Sequence, residues 1–398
     1  MRYHQPMPTA TLVSAADAAR LLGVTRRTLY AYVSRGMVTS QPGPGPSRAR
    51  LYSKRTIEAL LASRAGSPAE RGAAGATDWG KPILESALTL IEGGRLFYRG
   101  HDVITLSRHT TIEQVANLLW SGEVADLEMP RTGSSPAGVA RGAAVPIMAR
   151  LEAMLLGSLR SSIASVSSPQ PARLRAAATL VAGLFTAAGA TGKGSLATRL
   201  AAGWGTPDDA VLSAALVLCA DHELNASTFT ARCVASADAR LEHVLLAALC
   251  AFQGRRHGGM GQRVGAMFDD VSQMGVARAL DRVLSEQHDV PGFGHPLYPD
   301  GDPRCVELLR LVPARRGRID VVSQLQRECA ERLDLKPNLD FGLAAVAYRL
   351  ALPADAGVAL FALGRSVGWI AHAFEAWDSG TLIRPRARYT GPMPQSGV

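Results

Sequence analysis

The chain has 398 residues, 47% of them hydrophobic and 19% charged, which excludes global disorder and suggests two or three packed units. Its five cysteines form no CxxC pair, no signal-peptide core opens the chain and the apolar runs are shorter than the ~20 residues of a membrane span, so we expect a cytoplasmic protein without membrane contact. The net charge of +9 lies at one end: residues 1–71 hold eleven Lys or Arg against three Asp or Glu, which indicates a nucleic-acid-binding module.

The first predicted elements form a small basic domain over residues 1–64. Ser14 and Asp17 have the spacing of a helix-capping box, and apolar residues then recur at helical spacing until Gly23. A second helix is predicted from Arg26 to Ser34. Two short helices joined by a glycine-containing turn are typical of a helix-turn-helix.

A basic wing is predicted after the second helix. The Pro- and Gly-rich stretch 42–46 indicates a rigid loop, 48–52 a strand and 54–63 a third helix. This order resembles the DNA-binding domain of MerR-type regulators; a protein-contact module is the alternative. Residues 65–80 are predicted to be a flexible linker. The side chains expected to meet duplex DNA lie on the second helix and the wing: Arg26, Arg27, Thr28, Tyr30, Arg48 and Arg50.

The rest of the chain is predicted to be all-α. Alternating strand patterns are scarce, and no Gly-rich dinucleotide motif follows a strand, so a doubly wound sheet is not expected. No zinc-type spacing or acidic cluster occurs, so we expect no metal. Helical periodicity is found in seven segments: 112–120, 173–185, 209–220, 241–252, 276–285, 321–333 and 358–373.

Four polar segments between these helices carry the candidate chemistry. Segment 221–228 follows an apolar helix directly, and segment 253–259 places His257 beside glycines. Segment 291–304 holds too many turn residues for regular structure, and Asp340 stands alone before an apolar helix. Each segment on its own also fits a helix cap or a surface loop.

Taken together, the segments resemble the citrate synthases. DHELNASTFTAR, HGG, GFGH with DPR, PNLD, GRSVGWIAHAFE and IRPRARYTG occur in that family's order between about Ile83 and Gly391. The resemblance implies a helical catalytic domain over 81–398, with a large part and a small part, the latter at about 258–345. It also implies a homodimer. Because 126–170 matches the family poorly, a heteromer with a related chain is the alternative.

The resemblance also implies which residues act. Citrate synthases condense acetyl-CoA with oxaloacetate and hydrolyse the citryl thioester, with no cofactor beyond the acyl-CoA substrate. Asp340 matches the family's base, His257 the histidine that hydrogen-bonds the thioester oxygen, and His295 the histidine that polarises the ketone. The side chains that match the carboxylate-binding positions are His222, Arg304, Arg365 and Arg384.

Two alternative functions stay open. A 2-methylcitrate synthase would use propionyl-CoA, and one extra methylene is worth only ~1–3 kcal/mol of discrimination. Two departures from the family pattern concern this acyl-CoA site: 296–301 has no basic residue, and Gly261 replaces an Asn. A metabolite-sensing transcription regulator would instead bind a carboxylate in the synthase fold and an operator through the basic domain. The complete set of seven site residues favours an active enzyme.

Overall fold

The computed structural model describes residues 12–24, 26–34, 37–43, 50–65, 84–130, 145–159, 167–287, 289–312, 314, 320–387 and 389–392. The chain divides into two compact units. One is drawn from Met1–Glu85 and Val283–Asp289, the other from Ser86–Arg282 and Val290–Val398. Beyond Ala65, the predicted linker lies outside the described residues.

The smaller unit combines short helices with a three-stranded antiparallel sheet, in which β3 (Arg50–Ser53) lies between β1 (Leu12–Val13) and β2 (Ser40–Pro42). Helix α1 (Ala15–Leu22) begins after Ser14, whose hydroxyl accepts the Asp17 N–H at 3.2 Å, and ends at Gly23 in a left-handed conformation. The predicted N-cap is therefore confirmed. The elements are β1 (Leu12–Val13), α1 (Ala15–Leu22), α2 (Arg26–Ser34), β2 (Ser40–Pro42), β3 (Arg50–Ser53) and α3 (Lys54–Ala65). The apolar core consists of Ala18, Ala19, Leu22, Leu29, Val38, Tyr52, Ile57 and Leu60.

The rest of the described chain is mostly helical, as predicted. It opens with an antiparallel sheet of three strands: β4 (Thr89–Glu92), β5 (Arg95–Tyr98) and β6 (His101–Asp102). Fourteen helices follow in the described residues: α4 (Val103–His109), α5 (Ile112–Ser121), α6 (Ile147–Ser158), α7 (Gln170–Ala188), α8 (Leu196–Trp204), α9 (Asp209–Cys219), α10 (Ala226–Ala235), α11 (Leu241–Phe252), α12 (Gly259–Met274), α13 (Val276–Gln287), α14 (Pro303–Leu311), α15 (Val321–Leu333), α16 (Leu339–Arg349) and α17 (Ala356–Ser379).

Helix α17 is the central helix of the larger unit. It packs against α9, α10, α11 and α16, and nearly all of its residues are buried, Arg365 and His372 among them. At 24 residues it is longer than the predicted 358–373. By length and hydropathy it could cross a bilayer, but 94% of its apolar window is buried against the chain's own residues, as in a core helix.

Two glycines on one face of α17 allow it to approach α9 closely. A Cβ on Gly364 would lie 2.5 Å from the Leu216 carbonyl oxygen, and one on Gly368 would lie 2.3 Å from a carbonyl oxygen just beyond α9. Any side chain at these positions would push the helices apart. The close approach sets Arg365 against the end of α9, where its Nε donates to the Cys219 carbonyl at 2.7 Å.

Candidate active site

Six of the seven predicted substrate residues converge in the larger unit, although they come from distant parts of the sequence. The rings of His222 and His295 are 5.3 Å apart and nearly perpendicular. Three side chains lie on loops and three in helices: His222 after α9, His257 before α12, His295 before α14, Arg304 in α14, Asp340 in α16 and Arg365 in α17.

The two adjacent histidines are neutral. Burial and the charge of Arg304 lower the pKa of His295 to about 4. The same two causes lower the pKa of His222 well below its ordinary value. The Leu297 N–H donates to His295 Nδ1 at 3.2 Å, so the neutral ring carries its hydrogen on Nε2. His295 can therefore donate a hydrogen bond from Nε2.

His257 is held by a serine that sequence analysis did not single out. Its Nε2 lies 2.8 Å from the Ser227 hydroxyl, which also accepts the indole N–H of Trp369 at 3.1 Å. The same hydroxyl lies 2.9 Å from Asn225 Oδ1, so its one hydrogen has two acceptors within reach. Burial and the charge of Arg365 lower the pKa of His257 to about 4, which keeps the ring neutral.

Asp340 lies in the first turn of α16 and is partly buried. Asn338 caps this helix by accepting the N–H groups of Asp340 and Phe341, so Asp340 is not the N-cap. Burial raises the pKa of Asp340 to about 7, even though Arg304 and Arg365 act in the opposite direction. A carboxylate with this pKa is a competent general base at neutral pH.

Arg304 is fixed by an internal ion pair. Its Nε and Nη2 donate to the two carboxylate oxygens of Asp302 at 3.0 and 2.8 Å, with both side chains buried. Burial alone would lower the pKa of Arg304, but Asp302 outweighs it and the pKa is raised. Asp302 Oδ2 also accepts the Leu339 N–H at 3.0 Å, so the pair joins the start of α14 to the start of α16.

Arg365 is the least satisfied charge in the cluster. The residue is 0% exposed, and burial lowers its pKa. Its Nε is bonded to the Cys219 carbonyl, yet among the described residues Nη1 and Nη2 are both buried without a hydrogen-bond partner. Asp221 acts on Arg365 electrostatically without a hydrogen bond, and buried N–H groups of a cation are costly when they are left unbonded. Two free N–H groups on a planar guanidinium match the two oxygens of a carboxylate.

Arg384 does not join this cluster. It was predicted to bind substrate, but its side chain is exposed in the extended segment that follows α17. That segment is attached to the larger unit where the Ile383 N–H donates to Ser236 Oγ at 3.0 Å. Within one chain, the structure therefore gives Arg384 no place in the site.

The structure adds to the cluster a residue that sequence analysis did not assign. Tyr298 is buried in the loop before α14, with its hydroxyl 2.9 Å from His222 Nε2. The guanidinium of Arg304 lies 5.3 Å from the centre of its ring. Burial raises the pKa of Tyr298 to about 12, so the hydroxyl keeps its hydrogen. No sequence pattern indicates these contacts, because they cross the loop in three dimensions.

The predicted DNA contacts in the smaller unit differ in accessibility. Arg26 and Tyr30 are exposed, and Thr28 is partly buried. Arg50 donates from Nε to Ser40 Oγ and from Nη2 to the Ser40 carbonyl, both at 3.0 Å, so part of its guanidinium is committed to the sheet. Arg48 and the side chain of Arg27, which were also predicted to contact DNA, lie outside the part of the chain that the structure describes.

Comparison with known proteins agrees with the site geometry. Residues 76–386 match the family model of the citrate synthase C-terminal domain. The citrate synthase of Haloferax volcanii is 29% identical over 358 residues, 78% of this chain and 93% of that protein. The 2-methylcitrate synthase 1 of Corynebacterium glutamicum is 28% identical over 343 residues, 75% of this chain and 90% of that protein.

Two further matches are a relative that aligns over a shorter stretch of sequence and a solved structure that superposes on this one. Citrate synthase 2 of Bacillus subtilis is 36% identical over 191 residues, 46% of this chain, and the match spans about half of that relative, 51% of its length. The crystal structure of citrate synthase from Thermotoga maritima superposes with a TM-score of 0.67 at 26% identity, covering 81% of this chain and 98% of that one. The chain thus belongs to the citrate synthase family of enzymes.

Proposed function

We propose that this protein condenses acetyl-CoA with oxaloacetate to give citrate and CoA. The observation that carries the proposal is Arg365, a buried guanidinium whose two terminal nitrogens have no hydrogen-bond partner in the described part of the chain. It lies in a cluster with neutral histidines and a carboxylate whose pKa is about 7. A dicarboxylate with a ketone fits the arginine and the histidines. Its carboxylate is an anion that the arginine can bind, and its ketone oxygen can accept a histidine N–H.

In the proposed first step, Asp340 removes a proton from the methyl group of acetyl-CoA. The thioester oxygen gains negative charge as the enol forms, and a hydrogen bond from His257 Nδ1 stabilises it. This role requires the Ser227 hydroxyl to donate to His257 Nε2, which lies 2.8 Å away, so that the neutral ring carries its hydrogen on Nδ1.

In the second step, the enol carbon attacks the ketone carbon of oxaloacetate and forms the new carbon–carbon bond. The ketone oxygen becomes a hydroxyl by taking the proton of His295 Nε2, while Arg304 and Arg365 hold the carboxylates. His295 regains a proton from water, and Asp340 returns to water the proton that it removed from the methyl group. Water then cleaves the citryl thioester, which releases citrate and CoA. The site thus needs no group beyond the two substrates and water.

A 2-methylcitrate synthase activity is the second candidate for the same site, and Gly261 favours it. A Cβ at this position would lie 3.9 Å from Asp340 Oδ1 and 3.0 Å from Val358 Cγ2. The glycine therefore leaves space beside the base that a side chain would fill. That space could accept the extra methyl group of propionyl-CoA.

Product analysis separates the two candidates. We expect purified protein given oxaloacetate and equal acetyl-CoA and propionyl-CoA to form mainly citrate, identified by mass spectrometry. Replacing Gly261 with Ala should shift the product ratio further towards citrate, because the added Cβ narrows the space beside Asp340. A predominance of 2-methylcitrate in the unmodified protein would favour the second candidate, and no product from either acyl-CoA would contradict both.

The proposal includes a homodimer, which would give Arg384 a role. The arginine is exposed in the segment after α17 and, within the described residues, makes no hydrogen bond or ion pair with the cluster of its own chain. Oxaloacetate has two carboxylates, and Arg304 already has two of its donors on Asp302. The partner's Arg384 could supply the remaining donor. A heteromer with a related chain would meet the same need.

The positive charge of the smaller unit favours a second function, which is the binding of duplex DNA. Residues 1–71 carry eleven Lys or Arg against three Asp or Glu, and Arg26 and Tyr30 are exposed on α2. We place the helix-turn-helix at α1 and α2 and the wing at β2 and β3. Whether DNA binding serves an enzyme or a metabolite-sensing regulator is decided by Asp340→Ala, which should change the cellular phenotype only if catalysis matters.

A salt titration tests the DNA-binding function. We expect full-length protein to retard duplex DNA in a gel, with an affinity that falls steeply between 50 and 200 mM salt because neutralised phosphates release counterions. Deleting residues 1–71 should abolish the shift and leave condensation activity intact, since every catalytic candidate lies beyond them. Absence of a salt-sensitive shift at low ionic strength would assign the smaller unit to protein contacts.

A further inference from the structure

Tyr298 has the contacts of a residue that organises one half of the cluster. Its hydroxyl lies 2.9 Å from His222 Nε2. Its ring lies 4.9 Å from that of His295, centre to centre, and the Arg304 guanidinium lies 5.3 Å from the ring centre. Within the described part of the chain, it neither stacks on nor hydrogen-bonds to His257 or Asp340. One side chain therefore contacts three residues assigned to oxaloacetate and none assigned to acetyl-CoA.

The direction of the Tyr298–His222 hydrogen bond follows from the two rings. Within the described residues, the Tyr298 hydroxyl has no hydrogen-bond acceptor other than His222 Nε2, so its hydrogen points to that nitrogen. The neutral imidazole then carries its hydrogen on Nδ1 and accepts at Nε2. Tyr298, which stays protonated at neutral pH, is therefore the donor.

The loop backbone fixes the ring that makes these contacts. The Tyr298 N–H donates to the His295 carbonyl at 3.0 Å, and the Gly301 N–H donates to the Tyr298 carbonyl at 3.1 Å. Both the side chain and the main chain of Tyr298 are thus tied to the segment that carries His295 and Arg304. A shift of the ring would move the two histidines relative to each other.

We propose that Tyr298 is a positioning residue for the ketodicarboxylate substrate: its hydroxyl holds His222 in one tautomer and its ring sets the spacing of His222, His295 and Arg304. This inference rests on the proposed function, since it assigns these three residues to oxaloacetate. It predicts an effect on one substrate and not on the other, which a general loosening of the fold would not produce.

The test is Tyr298→Phe, which removes the hydroxyl and keeps the ring. Because the buried His222 Nε2 loses its donor, we expect the KM for oxaloacetate to rise about tenfold or more, with the KM for acetyl-CoA changed by less than about twofold. Tyr298→Leu, which also removes the aromatic face under Arg304, should raise the oxaloacetate KM further. Circular dichroism and thermal melts establish that both variants are folded.

The matched control is Tyr98→Phe, which removes a second buried hydroxyl. Tyr98 Oη is bonded to the Val217 carbonyl and to the backbone of Asp221, so its loss weakens the core next to His222 without touching the substrate side. We expect a lower melting temperature and no selective change in the oxaloacetate KM. If the oxaloacetate KM of Tyr98→Phe rose selectively and by as much as that of Tyr298→Phe, loosening of the core would explain the effect, and the inference would be overturned.

Oxaloacetate binding by calorimetry keeps this inference separate from the proposed function. If the unmodified protein neither binds oxaloacetate nor turns over, the proposed function fails and the role of Tyr298 fails with it. If the unmodified protein binds and turns over oxaloacetate while Tyr298→Phe has an unchanged KM and an unchanged binding constant, only the inference about Tyr298 is wrong.

Discussion

Replacing Asp340 with Asn should lower kcat by about 10²- to 10⁴-fold, the usual contribution of a positioned general base. The amide occupies the same space but cannot accept the proton from the acyl-CoA methyl group. Because the pKa of Asp340 is about 7, kcat/KM of the unmodified enzyme should fall as the pH drops below 7 and the base becomes protonated. The residual activity of Asp340→Asn should lack this dependence. Steady-state rates between pH 5.5 and 9 measure both effects.

The same substitution should stabilise the fold, with a sign that follows from the raised pKa. The folded protein keeps the Asp340 proton up to about pH 7, whereas the unfolded chain loses it near pH 4. Ionisation therefore destabilises the folded state progressively over that interval, and fully above pH 7. Asn cannot ionise, so the gain in unfolding free energy for Asp340→Asn should grow from pH 4 to 7 and then level off.

Asp300→Asn is the matched control for these measurements, because Asp300 is an exposed carboxylate on the loop before α14. It should leave the rate and the melting temperature unchanged at every pH. Full activity of Asp340→Asn would remove Asp340 from the mechanism. If the unfolding free energy of Asp340→Asn fell between pH 4 and 7 by as much as that of the unmodified protein, a group other than Asp340 would carry the raised pKa.

Replacing Arg365 with Met should raise the KM for oxaloacetate by at least about 100-fold, because loss of a buried charge partner costs several kcal/mol of binding and each 1.4 kcal/mol is tenfold. In the absence of substrate, the variant should be as stable as the unmodified protein or more stable. Among the residues that the structure describes, the two terminal nitrogens of Arg365 have no hydrogen-bond partner, and an apolar side chain of similar length removes the cost of burying them.

Thermal melts with oxaloacetate test Arg365 independently of turnover. At a concentration 100 times its dissociation constant, a ligand stabilises the folded state by about 2.7 kcal/mol, and Arg365→Met should lose this gain. Arg365→Lys keeps the charge but not the planar fork, so it should fall between the two proteins. If Arg365→Met melts at a lower temperature without ligand and still gains the full stabilisation with oxaloacetate, the arginine is a structural residue.

Local periodicity in the sequence predicted seven of the fourteen helices described in the larger part of the chain. The predicted bounds 241–252 and 321–333 coincide with α11 and α15, because polar residues flank both helices: Arg240 and Gln253 flank α11, and Asp320 and Asp334 flank α15. Helix α17 extends beyond its predicted range at both ends. It is apolar on all sides, since neighbours surround it, and a pattern without a polar face does not indicate where the helix stops.

The substrate residues could be predicted because each lies in a short motif, but their supporting contacts could not. Trp369 and Ser227 are 142 residues apart in sequence, and Tyr298 and His222 are 76 apart. Such pairs meet only when α17 packs against α9 and α10 or when a loop folds over the cluster. The motif of Arg384 did not reveal that its side chain is exposed in this chain.

The most direct measurement is the release of CoA thiol from acetyl-CoA by the purified full-length protein, with and without oxaloacetate. We expect thiol release that requires oxaloacetate, saturates with both substrates, is lost in Asp340→Asn and needs no added metal or cofactor. A folded protein that releases no thiol with oxaloacetate and any short acyl-CoA would contradict the assignment of the cluster around Arg365 as a condensing active site.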